Sequence, residues 1–207
     1  MIPFSDLLIR SVSGYIFAIP VLILYFLRLK KAGRTQSPLH IAAVLIFCYY
    51  LFGLLTVTGI GYTSTINFRP NIFWTPLIGM ITGPTDTLLN IVLFIPLGLF
   101  LPLLYRKYHR IQSVALTGFL FSLSIEIVQM FGWGSTDIND LITNTAGVCL
   151  GYLTFCLLTK LLPADMRKQL HSKRVIGMVE VLLLAICAFT IMITVQPWMV
   201  HIVLNIP

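Results

Sequence analysis

Four of the seven carboxylates in this 207-residue chain lie in three short polar segments set within apolar sequence. They are Asp86-Thr-Leu-Leu-Asn90, Glu126-Ile-Val-Gln129 and Asp137-Ile-Asn-Asp140-Leu-Ile-Thr-Asn144. An ionisable group at membrane depth costs roughly 2.5–3.5 kcal/mol on insertion scales, which makes it a functional candidate by default. Carboxylates gathered with amides can hold a hard cation or act as general acids and bases. Glu126, Asp137 and Asp140 are therefore the catalytic candidates. Arg69, Asn90, Gln129, Asn144 and Asp86 are the candidates for holding a substrate, with Arg69 the nearby cation suited to a phosphate or carboxylate. A divalent cation is the cofactor such a set would accept, and the residues name no particular metal. The histidines (His40, His109, His171, His201) are expected in loops or at the C-terminus, away from these acids. A Ser-His-Asp arrangement and a phospho-histidine intermediate are thereby disfavoured, and neither the P-loop nor the Rossmann glycine pattern occurs.

The elements that must position these groups are membrane helices. Hydrophobic residues form 57% of the chain and charged residues 10%, against about 25% charged in an ordinary soluble domain. A bilayer core of about 30 Å takes about 20 helical residues. Six apolar stretches reach that length, near 8–28, 39–61, 86–105, 111–131, 140–161 and 175–197. They lack the period-2 alternation of barrel strands, which leaves helices as the spanning structure. The fold class is all-α, a polytopic helical membrane bundle, read as one domain over 1–207. The first stretch outruns a signal-peptide core and has no small-residue cleavage site, so it is expected to remain in the mature protein.

Charge distribution orients the bundle. The net charge is +7, and twelve of the fourteen Lys and Arg residues fall in alternate connections, leaving Arg10 and Arg69 on the other side. This is the positive-inside signature, and it places both termini outside the cytoplasm of a multi-pass plasma-membrane protein. Nucleic acid is not an expected partner, because a binding groove needs one continuous basic surface. Membrane lipids are, through the basic connections. The four cysteines all lie in apolar spans without metal-ligand spacing and read as buried small hydrophobes. Glu180, near the cytoplasmic end of the last span, is expected to snorkel or to pair with Lys173 or Arg174. The connection 62–85 mixes aromatics and prolines with Asn and Arg. That mix suits an interfacial or re-entrant segment as well as it suits an ordinary aromatic-belt loop.

Direction then brings the acids to one depth. The third and fifth spans start outside, at Asp86 and Asp137, and the fourth ends there just beyond Glu126 and Gln129. Asp137, Asp140 and Asn144 share a helical stripe that continues through Gly147 and Gly151, a GxxxG pattern for close helix packing. Capping or dipole complementation could by itself explain Asp86, Asp137 and Asp140. Glu126 resists that reading, because an anion near a helix C-terminus is disfavoured.

Three ordered blocks carry a resemblance. They are Asp86-x3-Asn90-x3-Phe94-Ile-Pro96-Leu-Gly98, Ser124-Ile-Glu126-Ile-Val-Gln129, and Ser135-Thr-Asp137-Ile-Asn-Asp140-Leu-Ile-Thr-Asn144-Thr-Ala-Gly147-x3-Gly151. In these the chain resembles the VanZ-like family of bacterial membrane proteins, over a core near 40–160, with 175–197 as an additional C-terminal transmembrane helix. Many members carry Arg where this chain has Gly134, and Asp where it has Asn139. The resemblance implies a cell-envelope role at the outer membrane surface, since the family's name-giving member is associated with low-level teicoplanin resistance. It implies no particular reaction. Three functions follow as expectations. One is an envelope protein that binds or modifies a lipid-linked or cell-wall precursor, or a glycopeptide target. The others are an assembly protein whose polar cluster only fixes helix packing, and a small permease.

Overall fold

A computed structural model describes residues 3–62, 67–68, 72–73, 83–132, 134–171 and 177–204. Among them run seven α-helices: α1 (Phe4–Lys31), α2 (Pro38–Val57), α3 (Pro84–Leu104), α4 (Ile111–Gln129), α5 (Ile138–Leu161), α6 (Ala164–Leu170) and α7 (Gly177–Leu204). Two short strands, β1 (Ile72–Phe73) and β2 (Thr136–Asp137), pair in parallel. All helices but α6 are long and apolar enough to cross a membrane. The protein is an all-α, polytopic membrane protein. The six expected spans are all present; α1 extends beyond its apolar core through Ser5 and Asp6 at one end and Lys30 and Lys31 at the other, and α7 runs on through the largely apolar stretch 198–204.

Local chemistry sets the helix ends. Ser37 caps α2 by accepting from the His40 backbone N–H at 3.1 Å, with Pro38 in the first turn. Asp137 caps α5 in the same manner. Arg28, Lys30 and Lys31 close α1, where cations complement the negative end of the helix.

The chain divides into two compact units, 1–66 with 172–207, and 67–171. The first holds α1, α2 and α7 around Phe47, Phe52, Ala188 and Met192, all fully buried. Arg10 is buried there, paired with Asp6 at 3.0 Å and lying 4.3 Å over the Tyr62 ring. Glu180 departs from expectation: its side chain is wholly buried, with Oε2 3.9 Å from His40 Nε2. Because α7 begins at Gly177, Glu180 lies in the first turn, where the helix dipole favours an anion. It faces α2 and so does not snorkel; Lys173 and Arg174 lie outside the described residues. His40 likewise belongs to the first turn of α2, and no loop holds it.

The second unit holds α3 to α6 and the strand pair. The GxxxG of α5 packs as its spacing predicts. A Cβ at Gly147 would strike the Ile91 carbonyl, and one at Gly151 would strike the Ile95 carbonyl and come 2.9 Å from Gly98 Cα. The backbones of α3 and α5 therefore touch, a contact that only glycine permits. This seam holds the N-terminal ends of α3 and α5 side by side, and with them the candidate residues.

Candidate functional site

Asp137 is the hub of the site. Its backbone N–H donates to Glu126 Oε2 at 2.9 Å. Its Oδ1 accepts both from the Asn139 backbone N–H and from Asn139 Nδ2, each at 2.8 Å. β1 pairs with β2 in register Phe73 with Asp137, so the connection before α3 is stitched to the turn before α5. That connection is anchored again where the Asn67 N–H donates to the Phe131 carbonyl at 3.1 Å, with the Phe68 ring tilted against that of Phe131 at 5.3 Å.

Glu126 sits in the last turn of α4 and is only 4% exposed. The sequence makes it anomalous, as an anion at the wrong end of a helix. The structure supplies the compensation: a backbone N–H from the next element points at its carboxylate, and the Thr136 hydroxyl donates to its own carbonyl at 3.0 Å. Glu126 therefore braces the turn that carries Asp137.

Two cross-helix bonds join the remaining candidates. Asn90 Nδ2 on α3 donates to Asp140 Oδ1 on α5 at 2.6 Å. Asn144 Nδ2 donates to the Ser122 hydroxyl on α4 at 2.9 Å, both fully enclosed. The expected single stripe thus divides by partner: Asp140 turns to α3 and Asn144 to α4. Asn144 Oδ1 is buried with no hydrogen-bond partner among the described residues. A buried amide oxygen left so is uncommon and costs stability.

Asp86, Asp137 and Asp140 come together on a cleft of about 280 Å³, lined also by Gly83, Thr87, Asn139 and Thr143. Asp86 is not the cap of α3; Gly83 holds that position and Asp86 stands exposed in the first turn. Glu126, Gln129, Asn90 and Asn144 are not on the cleft wall. Gln129 lies buried beneath the 134–135 turn, its Nε2 3.3 Å from where a Gly134 Cβ would be. Arg69 lies outside the described residues. No three His, Cys, Asp or Glu side chains among the described residues gather closely enough to hold a metal ion, so a divalent cation finds no such set here. The cleft is a surface of hydrogen-bond acceptors, suited to hydroxyl, amide or ammonium donors.

Ser122, Thr136 and Thr143 take part without having been singled out from sequence, and Asn139 was noted there only as a departure from the resembling family. Ser122 had a signal, since it lies four residues before Glu126 and seven before Gln129, on the same face of α4. The Asn139 amide donates to Asp137, a bond an ionised Asp could not make.

Comparison with known proteins agrees with the three sequence blocks. The VanZ/LLP1 family pattern matches residues 12–159. Protein VanZ of Enterococcus faecium is 37% identical over 98 residues, which cover 47% of this chain and 57% of that protein. The matched stretch therefore spans little more than half the length of that relative. No solved structure matches. With the family pattern running over most of its length and six helices fit to cross a membrane, the chain belongs to the VanZ/LLP1 family.

Proposed function

We propose that this protein acts in the bacterial cell envelope, with the Asp86–Asp137–Asp140 cleft facing outward from the plasma membrane and binding the polar part of a lipid-linked or cell-wall precursor. The observation that carries the reading is that cleft: three carboxylates from two helices on one open wall, with the supporting bonds made behind them. A wall of acceptors fits the hydroxyl and amide donors of a glycan or peptide. Orientation rests on the basic connections, which the positive-inside rule assigns to the cytoplasm, leaving both termini and the cleft outside. On this reading Asp140 and Asp137 contact the ligand and are the groups to consider for acid–base work, Asp86 completes its binding, and Glu126, Asn90, Asn144 and Gln129 hold the wall in shape. A contribution to glycopeptide resistance follows if the precursor bound is the glycopeptide target.

The packing reading has its own support, because Glu126, Asn90 and Asn144 each tie two elements together. One experiment separates the two. Full-length protein and its Asp86→Asn and Asp140→Asn variants are produced in a susceptible bacterium. Teicoplanin susceptibility is then measured beside membrane abundance and the unfolding temperature of purified protein. Loss of protection at unchanged abundance and unfolding temperature supports the cleft. A loss that follows the fall in stability supports packing, and variants that protect like wild type refute a binding role for the acids.

A further inference from the structure

At the other end of α3 and α5 lies a second cavity, of about 410 Å³, and its chemistry is the reverse. Its walls are Arg106, Arg167, Lys168, His109 and His171, with Phe155, Thr159 and Ala164. No acidic side chain lines it among the described residues. Arg106, Arg167 and Lys168 form no ion pair among those residues either. Basic residues at the end of a membrane helix are ordinary, but they usually fan out toward headgroups. Here they come from two separate elements, the turn after α3 and helix α6, and converge on one concavity.

A histidine strut fixes that convergence. His171 Nδ1 donates to the Arg167 carbonyl at 2.6 Å, which leaves its Nε2 as an acceptor in the neutral ring. His109 Nε2 stands 2.9 Å from it, and the His109 ring also donates to the Pro102 carbonyl. Tyr152 on α5 donates to the His109 carbonyl at 2.7 Å, and the His109 ring lies 5.5 Å from that of Phe155. The strut clasps α6 to the Arg106 turn and holds like charges near one another, an arrangement that repulsion opposes until an anion enters. Burial, then His171 and Arg106, lower the His109 pKa, while its hydrogen bond to the Pro102 carbonyl opposes them.

We propose that this cavity binds the phosphate of an anionic ligand, with Arg106, Arg167 and Lys168 as its donors and the His109–His171 pair as the positioning strut. Guanidinium groups match phosphate oxygens in paired geometry, and Phe155 offers an apolar floor to whatever the phosphate is attached to. The site is independent of the acidic cleft and of the function proposed for it. The phosphate could belong to a lipid headgroup or to a soluble compound, and the test distinguishes them.

Full-length protein in phosphatidylcholine nanodiscs is titrated with inorganic phosphate at fixed ionic strength. In parallel the phosphatidylglycerol fraction of the nanodisc is raised, and the unfolding temperature is followed in both arms. Wild type is expected to be stabilised in at least one arm. A shift with inorganic phosphate alone assigns a soluble ligand, a shift with phosphatidylglycerol alone a headgroup, and a shift in both shows that the phosphate suffices. Arg167→Gln and the exposed Lys168→Gln should each raise the half-effect concentration about tenfold. Lys31→Gln, a basic end residue outside the cavity, should leave it unchanged. If Arg167→Gln does not fold, Lys168→Gln carries the test. Absence of a shift in both arms overturns the proposal, as does an equal loss in Lys31→Gln, which would reduce the effect to general surface charge.

Discussion

The two ends of α3 and α5 carry opposite charge on the same scaffold, and they are built by different rules. At the N-terminal ends, Asp86, Asp137 and Asp140 stand where the helix dipoles favour anions. There the polar groups are locked by short bonds between elements: Asn90 to Asp140, the Asp137 N–H to Glu126, and Asn144 to Ser122. At the C-terminal ends, Arg106, Arg167 and Lys168 stand where the dipoles favour cations, and one imidazole pair is the bond that gathers them. Dipole complementarity explains the sign at each end. It does not explain why one end is braced and the other held open. The braced acidic wall has Asp140 Oδ1 and Asp137 Oδ1 already engaged by the protein's own donors, which fixes their orientation. The basic cavity has no acidic side chain on its wall among the described residues, so its charges await a partner under the phosphate proposal.

Four predictions would break or sharpen that contrast, beginning with the scaffold itself. Gly151→Leu drives a side chain into the Ile95 carbonyl and Gly98, and should destabilise the protein by on the order of 3 kcal/mol or more. Denaturation in detergent measures it, and both ends should fail together; a variant of native stability would dismiss the seam as their common support. Glu126→Ala leaves the Asp137 N–H without its acceptor and should cost about 1–3 kcal/mol. Glu126→Gln keeps an acceptor and should recover much of that loss. Phosphate stabilisation at the basic end should survive in both variants, and its disappearance would show that the two ends are coupled. Asn90→Ala removes a single cross-helix bond and should cost roughly 0.6–2 kcal/mol in unfolding free energy, with protection against teicoplanin reduced in step if Asp140 needs that bond to hold its orientation.

The smallest effect concerns pH and belongs to the basic end. Burial first, then the neighbouring His171 and Arg106, hold the His109 pKa below its ordinary value, against a raising hydrogen bond to the Pro102 carbonyl. The unfolded chain therefore takes up the proton first as pH falls through the ordinary histidine value. Stability present above that value is lost progressively toward acid. The unfolding temperature of wild type should drop between about pH 8 and pH 5 by a few degrees more than that of His109→Phe. Parallel curves for the two proteins would remove His109 from the account, and bound phosphate should shrink the difference by favouring the protonated ring.

Much of this architecture was legible in the sequence because a bilayer imposes a severe rule. Backbone groups must be satisfied within a span, so length and hydropathy alone mark the six helices. The GxxxG of α5 was legible for a related reason: glycine repeated at that spacing leaves a groove that a second backbone can enter, and α3 does so. The capping role of Asp137 could be read from its place before an apolar run. Less of the candidate site was legible. Asp140 and Asn144 lie on one face of α5 by spacing, yet they bond to different helices, because two neighbours pack against that face. The β1–β2 pairing had no sequence signal, since a ladder of two residues is shorter than any periodicity can show. Glu180 misled for a comparable reason. Its place near a helix end suggested snorkelling, while its neighbour His40 comes from a segment 140 residues away.

The sequence by itself determined the solvent this protein lives in, the number of its spans and the family to which it belongs. Those properties are sums or local patterns, and each residue contributes to them whatever its distant neighbours are. Tertiary structure alone decided that Glu126 braces Asp137, that three aspartates share one cleft, and that two arginines, a lysine and two histidines share another. A site is a coincidence in space between residues far apart in the chain. The close contact of α3 and α5 is what turns four separate helix ends into two chemically opposed pockets.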